Sequence, residues 1–211
     1  SKDGFLVTSY HIRSALGQVD EATISYDVHF GTSASDVVSA APVYINPAAD
    51  IMILYAPVGD RDVQVLKPAD RSGVVPGVTQ VYTAGYPQGY QYTVDQGIIK
   101  SFGGLTAPIP AWTTSITFKN GQSGSPILLS DNRVIAVAKA TDQDATSIGL
   151  VVPIRLVPAE FWDGSLRLTA EAAAPLPAGD TKSLDRRLVE AVVAPKTKDS
   201  EVSFDLNTAT C

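Results

Sequence analysis

Cysteine is almost absent from this 211-residue chain: the single one, Cys211, is the last residue. An internal disulfide and a cysteine-based zinc site are thereby excluded, and the compartment stays open, since a chain without disulfides folds inside or outside the cytosol. Basic charge is also scarce, with 16 Lys and Arg against 22 Asp and Glu, a net charge of -6 and no run of basic residues. That balance disfavours a nucleic acid or an anionic membrane surface as partner, because such binders cluster Lys and Arg. No apolar run approaches the ~18 residues that span a bilayer. Ser1-Lys2-Asp3-Gly4 does not look like the start of a signal peptide, and no internal repeat is present. What is present is globular composition, 45% hydrophobic and 18% charged residues, enough for one sizeable domain or two small lobes.

Short runs rich in Val, Ile, Thr and Tyr recur between clusters of Gly, Pro, Asn and Asp, which is the pattern of an all-β barrel or sandwich. Strands are expected at Gly4–Ser9, Ala22–Phe30, Val37–Tyr44, Ile51–Tyr55, Gln80–Ala84, Tyr92–Ser101, Thr114–Phe118, Ser125–Leu129, Val134–Thr141 and Ser147–Pro153. Partial alternation along Ala22–Phe30 gives that strand one wet face, and His29 within it reads as a surface histidine. Pro68–Gly77 reads as a connection between two groups of strands. A short helix is expected over Arg155–Trp162, an Ala/Pro-rich linker over Thr169–Gly179, and helical spacing of apolar residues from Ser183 to Val193. The expected organisation is a partial first lobe over 1–75, a second lobe over 76–163, and a tail over 164–211 that carries no chemistry. That tail could be a linker with a docking helix, the start of a neighbouring domain, or a flexible end.

Three local patterns carry chemistry. Asn120-Gly121-Gln122-Ser123-Gly124-Ser125-Pro126, followed by Ile127-Leu128-Leu129, resembles the nucleophile motif of chymotrypsin-like peptidases. Acyl transfer needs a hydroxyl at the reacting carbonyl and two backbone N–H donors converging on the oxyanion. Gly121 has no Cβ to block the approach, Ser123 offers its own N–H, and Gly124 lets the chain turn into the next strand. Leu6-Val7-Thr8-Ser9-Tyr10-His11-Ile12 resembles the strand and turn that deliver the histidine of that family, above all of its HtrA-like bacterial branch; imidazole suits the transfer of a proton near neutrality. Ala49-Asp50-Ile51-Met52-Ile53-Leu54 resembles the segment in which an acidic residue opens an apolar strand and orients the imidazole. Each pattern alone has a bland reading as a Gly/Ser turn, a surface histidine or a strand start. Together they fall in the order His, Asp, Ser, with 39 positions (50 − 11) and then 73 (123 − 50) between them.

The HtrA-like resemblance extends to Ala84-Gly85-Tyr86-Pro87, to Val94–Ser101 with its Gly97-Ile98-Ile99, and to Ile148–Ile154, so it covers about residues 4–160. It implies an all-β fold of two six-stranded antiparallel barrels of the trypsin-like kind, and a serine endopeptidase acting on protein or peptide through an acyl-enzyme. His11, Asp50 and Ser123 would be catalytic, and Gly121 and Ser123 would supply the oxyanion N–H groups. No metal or organic cofactor is implied. A bacterial extracytoplasmic setting and a neighbouring domain would be in keeping with the branch. The competing readings are a self-processing protease within a longer chain and a protease-like peptide-binding module without turnover. An α/β-hydrolase is excluded by order, since its histidine follows the serine.

Two departures from the family pattern stand out. Only ten residues precede His11, enough for a single strand, so the first barrel is expected to be incomplete at its start; either further strands lie upstream or Glu201–Leu206 returns to fill the vacancy. Gln122 stands where trypsin has the acidic residue that pairs with a freed terminal amine, which speaks against that mode of activation. By the resemblance the specificity pocket is framed by Thr117 and Phe118, with Lys139 and Ala140 on one wall. No carboxylate answers a basic substrate side chain there, so an apolar or small uncharged residue is expected before the scissile bond.

Overall fold

The computed structural model of the chain describes residues 1–14, 24–31, 35–87, 91–103, 111–141, 147–166, 174 and 178–180. Among the described residues, ten strands and one short helix run in the order β1 (Phe5–Ser9), α1 (His11–Ser14), β2 (Tyr26–His29), β3 (Val37–Asn46), β4 (Ile51–Tyr55), β5 (Gln80–Gly85), β6 (Thr93–Ser101), β7 (Trp112–Thr114), β8 (Pro126–Leu128), β9 (Val134–Thr141) and β10 (Gly149–Pro153). The first four form an antiparallel sheet ordered β1-β4-β3-β2, and the other six close into a barrel ordered β10-β7-β6-β5-β8-β9. Among the described residues no helix is long and apolar enough to cross a membrane.

The first sheet curls because β3 changes partner along its length: Val37–Ala40 pair with β2, and Ala41–Asn46 with β4. A bulge falls between Pro42 and Tyr44, where a residue without an N–H does least damage to a ladder. β4 is buried at every position, as its unbroken apolar run requires. Its alternate residues serve two cores. Met52 and Leu54 face Val38 and Ala40 inside the curl. Ile51, Ile53 and Tyr55 face outward against Val137, Val152, Ile154 and Phe161, which follow from the second barrel. Phe161 seals this junction, standing edge-on to Phe5 at 5.3 Å between ring centroids and 5.7 Å from Tyr44. The second barrel is filled by Val81, Ile99, Trp112, Ile127, Ile135 and Val151, among others.

Most expected strands lie where the apolar runs place them, and Ile51–Tyr55 and Val134–Thr141 match to the residue. β2 alternates half-buried and exposed positions, with His29 on the wet face. Two expectations need correction. The strand placed over Thr114–Phe118 is Trp112–Thr114; beyond it, the Thr114 and Ser115 hydroxyls bond the β6 backbone at Ile98 in place of a regular ladder. The helix expected over Arg155–Trp162 is two single 3₁₀ turns, Ile154–Leu156 and Ala159–Phe161. Pro158 divides them, because the residue before a proline is driven to extended backbone, as Val157 is.

Past the second barrel, Leu166 is buried in the junction core. Gly179 and Asp180 donate their backbone N–H groups to Asp27 Oδ1 and Ser39 Oγ on the first sheet. The helical spacing read at Ser183–Val193 and the candidate strand Glu201–Leu206 lie outside the described residues.

Candidate active site

β1 leads straight into the site. It ends at Ser9, and one residue later α1 begins with His11. Asp50 closes the turn from β3 to β4, with its N–H donated to Pro47 O and a left-handed backbone at φ +56°. In that conformation its carboxylate faces the start of α1. Oδ1 accepts the His11 backbone N–H at 2.8 Å, Oδ2 lies 2.9 Å from His11 Nδ1, and Asp50 O accepts the Tyr10 N–H at 3.2 Å. One residue thus grips the backbone and the ring of the histidine together. Asp50 is 5% exposed, so these bonds are made largely out of water, where they are stronger.

Ser123 arrives from the second barrel, on the loop before β8. His11 Nε2 lies 2.7 Å from Ser123 Oγ, across 112 positions of sequence. The Lys139 carbonyl is a second, longer acceptor for the same hydroxyl at 3.3 Å. The loop is built from tight turns. Gln122 N–H donates to Lys119 O, with Gly121 between them at φ +90°, the sign that a type II turn demands at its third residue. Gly124, at φ +87°, donates its N–H to Ala138 O. A side chain there would overlap Thr8 Oγ1 and lie 3.2 Å from Thr8 Cα, so the absent Cβ is also what lets the two lobes close. The same Ala138 carbonyl accepts the buried Ser9 hydroxyl at 2.9 Å. Among the described residues, no His, Cys, Asp and Glu cluster forms a metal site.

Residues 1–137 match the family described as the trypsin-like peptidase domain. The chain belongs to that family. None of the curated proteins matches the sequence. Among solved structures, the domain resembles the serine endoprotease from Yersinia pestis, with 20% identity and a TM-score of 0.59 over 74% of this chain and 52% of that one. It also resembles the HtrA-type protease AlgW with a tripeptide, with 19% identity and a TM-score of 0.60 over 78% of this chain and 54% of that one. Deg5 is similar as well, with 21% identity and a TM-score of 0.61 over 78% of this chain and 81% of that one. These likenesses establish the fold. The peptidase domain spans about half the length of the first two.

The remaining residues read from the sequence lie on the segment between β7 and β8 and on β9. Thr117 is exposed and Phe118 is buried in the core of the second barrel. Both main-chain polar groups of Phe118 bond one hydroxyl: its N–H donates to Thr141 Oγ1 at 2.6 Å, and that oxygen donates to Phe118 O at 2.7 Å. Lys139 and Ala140 are partly buried on β9; Lys139 meets Ser123 through its carbonyl. Two further groups, Gln122 and Asp95, meet beneath the loop. Gln122 is 1% exposed, and its side-chain amide spans Lys119 N–H and the Asp95 carboxylate. Asp95 stands on β6, 27 positions away, in a segment noted only for its glycine and isoleucines.

Proposed function

We propose that this peptidase domain is a serine endopeptidase in which Ser123 attacks, His11 is the general base and Asp50 orients it. The observation that carries this reading is the unbroken series Ser123 Oγ, His11 Nε2, His11 Nδ1, Asp50 Oδ2, with links of 2.7 and 2.9 Å. Nδ1 carries its proton toward Asp50, which leaves Nε2 as an acceptor for the serine O–H. As Oγ bonds the substrate carbonyl carbon, its proton passes to Nε2, and the carbonyl oxygen becomes an oxyanion facing the N–H groups of Gly121 and Ser123. Collapse breaks the C–N bond, and the imidazolium gives its proton to the departing amine. Water then repeats the cycle on the acyl-enzyme: its proton goes to Nε2, its oxygen to the carbonyl carbon, and Ser123 leaves as the alcohol. Each N–H donor is worth about 10²–10³ in rate.

The substrate on this reading is a polypeptide, and the residue before the scissile bond is small or apolar. The pocket residues Thr117, Phe118, Lys139 and Ala140 include no carboxylate. The reading is tested by labelling the chain with a fluorophosphonate, which modifies an activated serine. Covalent labelling of wild type at Ser123, absent in Ser123→Ala, is expected; equal labelling of the two would show that another residue attacks.

A further inference from the structure

The N–H groups of Gly121 and Ser123 act only if the loop that bears them is held in shape before substrate arrives. The residue between them, Gln122, does the holding. Its backbone N–H donates to Lys119 O at 3.0 Å, and its carbonyl accepts the Ser125 N–H at 3.0 Å. In a trans peptide N–H and C=O point in opposite directions, so this second bond turns the Ser123 N–H to the other side of the loop. The Gln122 side chain enters the second barrel beside Gly85 of β5, where a Cβ would come within 3.7 Å of Gln122 Cγ. There its amide is used at both ends: Oε1 accepts the Lys119 N–H at 2.8 Å, and Nε2 donates to Asp95 Oδ2 at 2.9 Å. With the amide oxygen committed to an N–H, only its nitrogen can face position 95, and a carboxylate is the stronger acceptor it can meet.

Asp95 is placed by strand register. It lies on β6 directly opposite Thr83 of β5. Thr83 is fully buried, and its Oγ1 has no hydrogen-bond partner among the described residues. The barrel wall therefore sets a carboxylate under the loop and leaves a hydroxyl beside it.

We propose that Asp95 is a positioning residue for the oxyanion donors, acting through Gln122 to hold the Gly121 and Ser123 N–H groups toward the reacting carbonyl. The proposal rests on the reading of Ser123 as nucleophile. It gives the loop an anchor inside its own barrel.

The test measures fluorophosphonate labelling under saturation, which separates probe binding from the bond-forming step, on folded protein verified by circular dichroism. Asp95→Leu strands a buried amide N–H; the bond-forming rate should fall roughly tenfold to a hundredfold, part of what a lost oxyanion donor costs, with the binding constant within about twofold. Asp95→Asn offers an amide oxygen in place of the carboxylate and should stay within about threefold of wild type. Gln122→Glu sets carboxylate against carboxylate and should be as impaired as Asp95→Leu. The pair Gln122→Glu with Asp95→Asn reverses the polarity of the bond and should recover most of the loss, a rescue that independent packing defects would not show. Wild-type rates in Asp95→Leu, a loss confined to probe binding, or a double variant no faster than Gln122→Glu would overturn the proposal while leaving the nucleophile in place. Failure of wild type to label at Ser123 would overturn both.

Discussion

Replacing Gly124 with alanine probes the closure of the two lobes against each other. The new Cβ meets Thr8 Oγ1 and sits 3.2 Å from Thr8 Cα. Turning the threonine side chain relieves the first contact, whereas the second involves the backbone of β1 and cannot be relieved without moving the strand. Two costs add. A left-handed backbone, here φ +87°, costs an alanine about 1–2 kcal/mol, and forcing a methyl into a filled site costs about 1–3 kcal/mol. The expected loss is therefore about 2–5 kcal/mol, which for a chain of this size lowers the melting temperature by roughly 4–20 °C at about 2–4 °C per kcal/mol. Thermal unfolding followed by calorimetry measures it. A cycle with Thr8→Ala separates the terms: the double variant should regain the part due to Thr8 Oγ1 and retain the part due to Thr8 Cα and Cβ. A double variant whose loss is the plain sum of the single losses would refute the contact between Gly124 and Thr8 as the source of strain.

Ser123→Ala should lower peptide hydrolysis by about five to six orders of magnitude, with some rate above the uncatalysed background because the N–H donors survive; hydrolysis of a protein substrate such as casein reports it. Asp50→Asn should cost about 10⁴ in kcat through the wrong histidine tautomer, yet melt near wild type, because asparagine tolerates a left-handed backbone. Asp50→Ala should lose both activity and stability, and equal melting temperatures for the two variants would contradict the strain at φ +56°. Phe161→Ala should cost about 3–5 kcal/mol as a buried ring is removed from the junction, and a loss below 1 kcal/mol would show that the 3₁₀ turn does not seal it. A positional-scanning peptide library should give cleavage after small or apolar residues, with Arg and Lys at least a hundredfold poorer: burying an unpaired cation costs several kcal/mol, and each ~1.4 kcal/mol is a factor of ten. Dominant cleavage after Arg or Lys would refute the pocket assignment.

What could be read from the sequence follows from how local its cause is. β4 and most of β9 declare themselves because a short β-branched apolar run bounded by turn residues is the mark of a buried strand. Asp50 opens such a run directly, whereas His11 and Ser123 follow or precede one across a short polar or Gly/Ser stretch, and it is their order along the chain that makes the three conspicuous. The end of β7 was not legible, because Ile116 and Phe118 are apolar for the sake of the barrel core and pattern alone does not separate core filling from ladder pairing. Pro158 should have divided the expected helix, since a proline bars helical backbone in the residue before it. The bond between Gln122 and Asp95 was hidden for a different reason: it depends on the register of β6 against β5, and a carboxylate in an alternating strand ordinarily faces water.

The division of labour between the lobes bears on how the enzyme treats itself. On the proposed assignment, the nucleophile and its N–H donors belong to a barrel closed by strands drawn from residues 80–153, whereas the base and its carboxylate stand on segments flanking the strands of the earlier sheet. On that assignment either half alone holds an incomplete set of parts: a serine with no base to take its proton, or an imidazole with no hydroxyl to deprotonate. Cutting power then requires both halves to be folded and joined, like a lock needing two keys turned together. During synthesis and folding, when unstructured segments of sibling chains are most open to cleavage, the molecules able to cut are those whose own chain has already folded.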